Sequence, residues 1–116
     1  MKTIRLTRRA GSRLTDILEF SIAQWGDMVA QRYRDALVAR LRALAAGELP
    51  AGRPCDLLVT SGQPLNLKYF REGGHYIIYR ETATELIVLD FVHQSRNLDD
   101  HIANLSKSGG IESNGI

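Results

Sequence analysis

The chain of 116 residues lacks the features that define several common protein classes. It contains one cysteine, Cys55, which excludes an intramolecular disulfide and a zinc site built from cysteines. No apolar run reaches the roughly 18 residues that a membrane-spanning helix needs. The basic start, residues 1–9, lacks the long apolar stretch of a secretory signal. We therefore expect a cytoplasmic protein without membrane contact.

The overall composition is that of one ordinary globular domain, with 44% apolar and 24% charged residues. A chain of this length can bury a stable core without a metal ion or disulfide, and we expect neither a metal nor a cofactor. The end of the chain is rich in glycine and serine and shows no periodicity. We therefore predict a single domain over residues 1–105 and a flexible tail over residues 106–116.

Positive charge is concentrated in the first half of the chain. Residues 1–55 carry ten Lys/Arg against five Asp/Glu, whereas residues 56–116 carry five against eight. The densest part is residues 2–13, which hold five basic residues and no acid. This basic edge suits nucleic acid or an acidic protein, and it equally suits the solvated start of a helix.

The apolar spacing predicts a helical hairpin in the first half. Thr3–Leu6 alternates as a short strand, and Thr7 is suited to cap a helix from Arg8 to Trp25. Gly26 ends that helix, Asp27 is predicted to cap the next, and Gly47 ends the second helix. Trp25 and Tyr33 lie on the apolar stripe of these helices, which predicts packing in the core or within the hairpin.

After a loop that runs from Pro50 to Pro64, apolar residues alternate with polar ones, and this period of two predicts three strands. The strands are expected at residues 65–69, 75–81 and 85–93, with a turn at Glu72-Gly73-Gly74. Residues 97–105 add a helical turn or two. The order β-α-α-β-β-β predicts an α+β fold in which the helical hairpin packs on one face of a small, mainly antiparallel sheet, with the helices on one side.

This order of elements resembles the ParE branch of the RelE/ParE superfamily of bacterial toxins. The resemblance also rests on the helix break at Trp25-Gly26, the position of Tyr33, the strand Tyr76–Glu81, and the closing run Val92–Leu98. It implies the toxin of a type II toxin–antitoxin module, with a role such as plasmid stabilisation. It further implies binding and inhibition of DNA gyrase without catalysis, and neutralisation by a ParD-like antitoxin. The antitoxin would form a hetero-oligomer with the toxin and supply the only contact with operator DNA.

The residues that we expect to meet partners fall into two groups. Apolar side chains near one groove of the hairpin and basic residues at its rim are expected to bind the antitoxin: Ile22, Trp25, Tyr33, Arg5, Arg9 and Arg13. The polar border of the last strands is expected to face gyrase: Arg80, His93 and Arg96.

Two alternatives stay open at this stage. A RelE-like, ribosome-dependent mRNA endonuclease would need an acid–base group and phosphate clamps, for which His93, Lys68, Arg71 and Arg80 are the candidates. His93 alone equally fits a structural histidine whose ring bonds to the backbone. The other alternative is a degenerate toxin that serves only in the complex with its antitoxin.

Overall fold

The computed structural model describes residues 1–48, 51–55 and 66–108. Its elements, in chain order, are β1 (Thr3–Leu6), α1 (Arg8–Trp25), α2 (Asp27–Ala45), β2 (Arg53–Pro54), β3 (Lys68–Glu72), β4 (His75–Glu81), β5 (Glu85–His93) and α3 (Leu98–Ser108). The predicted α+β fold and the β-α-α-β-β-β order are confirmed, with the two-residue β2 as an addition. None of the helices in the described ranges is long and apolar enough to cross a membrane.

The strands form one sheet in the order β1-β5-β4-β3-β2. β1 runs parallel to β5, and every other neighbouring pair is antiparallel. β4 and β5 lie in the centre, which explains why both faces of these strands are apolar in sequence. The register pairs His75 with His93 at one end of β4. Between Ile78 and Tyr79 the register shifts by one residue, so that Leu89 of β5 does not lie opposite a residue of β4.

The ends of the helical hairpin follow from single residues. The Thr7 hydroxyl accepts a hydrogen bond from the Ala10 N–H and donates one to the Leu89 carbonyl, so that it caps α1 and ties it to β5. Gly26 has φ +89° and separates the two helices. Asp27 was predicted as the next cap, but it is the first residue of α2, and Gly26 holds the cap position. Gly47, with φ +80°, closes α2.

The sheet has an apolar core on each face. The hairpin core lies under α1 and α2 and includes Leu37, Leu41, Ile77 and Phe91. The second core lies on the opposite face, where Ile102 of α3 packs with strand residues such as Ile78, Ile87 and Leu89. The prediction that the helices share one side was therefore wrong for α3, because alternating apolar residues of β4 and β5 leave a second face that needs a cover.

Other boundaries differ in detail from the sequence-based prediction. β3 begins at Lys68, after Asn66 with a φ of +58° and the buried Leu67. Cys55 was predicted in a loop and follows β2 directly; its side chain is buried in the second core, and its N–H donates to the Leu67 carbonyl. α3 continues to Ser108, past the predicted domain end at residue 105. The centre of the predicted loop, residues 56–65, and residues 109–116 lie outside the described residues.

Candidate functional site

A groove lies where the α1–α2 turn meets the β3–β4 turn and the end of β5. It encloses about 680 Å³. Its walls come from both helices of the hairpin and from the sheet, as follows: Asp16, Ile17, Phe20, Ser21, Trp25, Val29, Tyr33, Gly74, His75, His93, Gln94 and Arg96. We call this the aromatic groove, because its helical wall carries Phe20, Trp25 and Tyr33.

The outer part of the aromatic groove is an exposed apolar surface. Trp25 is 63% exposed and Phe20 is 59% exposed, and their rings meet edge to face with 6.0 Å between centroids. Val29, at the start of α2, lines the same groove and is 39% exposed. Trp25 was predicted to pack in the core or within the hairpin; the core placement was wrong, because Trp25 stands at the last position of α1, where the chain turns away at Gly26. Clustered exposed apolar side chains of this kind mark interaction sites.

The inner part of the aromatic groove is built around Tyr33. Its ring lies 5.8 Å from that of His75, and its hydroxyl is buried without a hydrogen-bond partner in the described structure. Burial, together with the negative charge of Glu72, raises the pKa of Tyr33 to about 12. The Tyr33 ring also packs against the turn, since a Cβ at Gly73 would lie 3.1 Å from it. Tyr33 therefore packs against the hairpin core, as its position on the apolar stripe predicted, and it also lines the aromatic groove.

Two histidines line the sheet side of the aromatic groove, the half-buried His75 and the exposed His93. The rings of His75 and His93 meet edge to face, with centroids 5.3 Å apart. Burial lowers the pKa of His75, and the neighbouring His93 lowers it further. The Nδ1 atom of His93 accepts a hydrogen bond from the Ser95 N–H at 3.1 Å and contacts the Ser95 hydroxyl at 2.8 Å. The His93 ring is therefore held by a hydrogen bond from the local backbone, which is the structural role that the sequence analysis left open for it.

The predicted antitoxin-binding residues do not all lie at the aromatic groove. Trp25 and Tyr33 line it, whereas Ile22 lies in a shallow cleft on the other side of the hairpin with Leu18 and Gln31. Arg5 forms an ion pair with Glu85, with 3.0 Å between Nε and Oε2. The expectation that Ile22, Trp25 and Tyr33 share one groove was therefore wrong for Ile22, because it faces away around the helix.

Arg9 and Arg13 have a partner within the chain that sequence reasoning missed. Both approach the carboxylate of Asp90, at 3.9 Å and 3.5 Å, and His101 of α3 lies 2.6 Å from the same carboxylate. Asp90 is fully buried. Its position in the apolar run from Leu86 to Val92 was the available signal, because a carboxylate in a central strand requires partners.

The predicted gyrase-facing residues divide between two places. His93 and Arg96 lie together at the rim of the aromatic groove. Arg80 lies opposite Ile87 in the β4–β5 register, on the face of the sheet that carries the second core. Its Nε is buried without a hydrogen bond in the described structure. Five strand residues separate Arg80 from His75, the partner of His93, which corresponds to roughly 16 Å. A single surface containing all three side chains is therefore not formed.

The candidate nuclease residues are likewise dispersed. Lys68 pairs with Glu81 at 3.1 Å on the hairpin face, whereas Arg80 and Arg71 lie on the other face of the sheet. Lys68 is opposite Tyr79, which lies four strand residues from His75, or roughly 13 Å. A nuclease site would need these side chains on one surface, which the sheet does not provide, because strand neighbours alternate in direction. Within the described ranges, no group of His, Cys, Asp and Glu is placed to hold a metal ion.

Comparison with known proteins assigns the family. A model of the family described as "ParE toxin of type II toxin-antitoxin system, parDE" matches residues 4–98, most of the chain. The chain belongs to the ParE toxin family. Toxin ParE1 of Caulobacter vibrioides is 33% identical to this toxin over 107 residues, covering 88% of this chain and 99% of that protein.

A solved structure supports the fold of the toxin. A chain of the chromosomal ParDE TA system from P. aeruginosa superposes with a TM-score of 0.62 over 80% of this chain and 96% of that one, at 18% identity. The resemblance drawn from the order of elements and the Trp25-Gly26 break is therefore confirmed at the level of the family.

Proposed function

We propose that this ParE-family toxin inhibits DNA gyrase in the cytoplasm and that a ParD-like antitoxin neutralises it by filling the aromatic groove. The observation that carries the proposal is the aromatic groove itself, in a chain that belongs to a toxin family of type II toxin–antitoxin systems. Exposed tryptophan and phenylalanine beside a half-buried tyrosine are typical of the anchor pockets of protein interfaces.

The antitoxin part of the proposal follows from the shape of the aromatic groove. Its helical wall presents Ile17, Phe20 and Trp25 along one side of α1, which suits an apolar face of a partner segment. Arg96 at the rim is in none of the ion pairs of the described residues, so it is available to a carboxylate of that segment. Operator DNA would be contacted by the antitoxin and not by this chain.

The gyrase part rests on the family resemblance and on the exposed rim formed by His93 and Arg96. Because the nuclease candidates are dispersed over two faces of the sheet, an RNA-cleaving site built from them has no structural support. Gyrase contact at the rim would also explain neutralisation, since an antitoxin that fills the aromatic groove covers His93 and Arg96 at the same time.

Induction of the toxin in growing cells tests the proposal. We expect a DNA-damage response before any loss of translation, because poisoned gyrase leaves broken DNA. Arg96→Glu should weaken that response without unfolding the chain, since Arg96 is exposed. Arg42→Glu, an exposed substitution at the far end of α2, is the matched control. Early loss of translation with cuts inside mRNA codons would contradict gyrase as the target.

A further inference from the structure

A second pocket lies at the β3 edge of the sheet, away from the aromatic groove. It encloses about 430 Å³ and is lined by Arg40, Ala51, Arg53, Tyr69, Phe70, Arg71 and Tyr76. We call it the arginine pocket. Arg40 comes from α2, Arg53 from the edge strand β2, and Arg71 from β3, so that three separate elements each supply one guanidinium group.

The charge of the arginine pocket is of one sign. Among the described residues, no aspartate or glutamate lines it, and none of its three arginines forms an ion pair. Most other basic side chains of the sheet are paired, as Lys2 and Lys68 are with Glu81. Three arginines that line one pocket without a carboxylate present positive charge to an anion, together with those guanidinium N–H groups that are not already bonded within the chain.

Aromatic rings hold two of these arginines and complete the wall. The Arg40 guanidinium lies 5.5 Å from the centre of the Phe70 ring, and that of Arg71 lies 6.0 Å from the centre of Tyr76. Arg71 also donates hydrogen bonds to the Gly73 carbonyl and to the Gln94 side chain. Tyr69 and Tyr76 meet edge to face at 6.1 Å, and both are half-buried, which leaves ring surface accessible.

We propose that the arginine pocket binds single-stranded nucleic acid, with backbone phosphates against Arg40, Arg53 and Arg71 and a base against the ring of Tyr69 or Tyr76. Guanidinium groups bind phosphate oxygens in pairs, and aromatic rings stack on unpaired bases of any sequence. The joint presence of cations and rings in a pocket of about 430 Å³ favours this ligand over an acidic peptide, which would leave the tyrosines without a stacking partner. The site goes beyond the proposed function, because it lies apart from the surface assigned to antitoxin and gyrase.

The test is binding of a fluorescein-labelled ten-nucleotide oligothymidylate to the purified full chain, followed by fluorescence polarisation over a range of salt concentrations. Arg40→Gln, Arg53→Gln and Arg71→Gln should each weaken binding and reduce the slope of log affinity against log salt by about 0.7, as expected for one lost phosphate contact. Arg42→Gln is the matched control, because residues two apart on α2 point to different sides. It should leave both affinity and slope unchanged.

Substitution of Tyr76 separates stacking from charge. Tyr76→Leu should lower the affinity at least about fivefold without changing the salt slope. Tyr76→Phe should leave the affinity unchanged, because the ring is kept. Equal effects of Arg42→Gln and the three pocket variants would overturn the proposal in favour of a general basic surface. Binding of thymidine monophosphate, inorganic phosphate, a duplex or a polyglutamate peptide as tightly as the oligonucleotide would overturn the single strand as ligand. The arginine variants keep the test decisive if Tyr76→Leu fails to fold.

Discussion

At the scale of single residues, partners within the chain hold the polar side chains near the aromatic groove. Ser95 supplies the backbone bond to His93 that the sequence offered as one alternative. Arg9 and Arg13 were expected to be available at a rim, but Asp90 draws both toward the interior. The cause is that β1 ends opposite Val88, so that the rest of β5 meets the start of α1. Such a pairing depends on tertiary structure and has no signature in local spacing.

His75 makes the stability of the toxin depend on pH. Burial and the adjacent His93 lower its pKa in the folded chain below the ordinary value of 6.5. Below that pH the unfolded chain therefore binds more protons than the folded one, and the contribution of His75 to stability, fully present above pH 6.5, is lost on acidification. We expect the free energy of unfolding in urea to fall from pH 7.5 to pH 5.5, and to fall less in His75→Gln. An identical decrease in the two proteins would contradict this role of His75.

At the scale of elements, glycines and alternation allowed most of the fold to be predicted. Gly26 and Gly47 fixed the ends of the helices, and Gly73-Gly74 fixed the β3–β4 turn. β2 was missed because two residues carry no periodic signal, and its existence depends on pairing with Lys68 and Tyr69. The packing of α3 on the face opposite the hairpin was also missed, since the amphipathic pattern of a short helix does not indicate which face of the sheet it covers.

Adding the same methyl group at two glycines of the hairpin should change stability in opposite directions. Gly26 adopts φ +89° and ψ 171°, a region that is essentially restricted to glycine, so we expect Gly26→Ala to cost about 1–3 kcal/mol. Gly11 lies inside α1, with no other side chain within 4 Å of the place that an added methyl group would take, so Gly11→Ala should stabilise the chain by about 0.5–1 kcal/mol. Urea unfolding of both variants measures the two values. Destabilisation by Gly11→Ala, or an unchanged free energy in Gly26→Ala, would contradict this account.

At the scale of the whole molecule, the sheet separates two kinds of surface. The aromatic groove with His93 and Arg96 lies at the end of the molecule where α1 meets α2, and the arginine pocket lies along the β3 edge. The second core and α3 cover the remaining central face. A groove with Trp25 and Tyr33 was predicted from the sequence, but its sheet wall was not, because that wall exists only where the β3–β4 turn approaches the hairpin. An antitoxin that fills the groove would leave the arginine pocket open.

The last turn of α1 offers a matched pair of substitutions that tests where the antitoxin binds. Trp25 and Ile22 are both exposed, so replacing either by serine should leave the fold intact. Only Trp25 lines the aromatic groove. We expect Trp25→Ser to weaken binding of the antitoxin from the neighbouring reading frame by about 2 kcal/mol or more, because buried aromatic anchors dominate interfaces. Ile22→Ser should change it by less than about 0.5 kcal/mol. Titration calorimetry measures both affinities, and an equal or larger loss in Ile22→Ser would place the antitoxin on the other side of the hairpin.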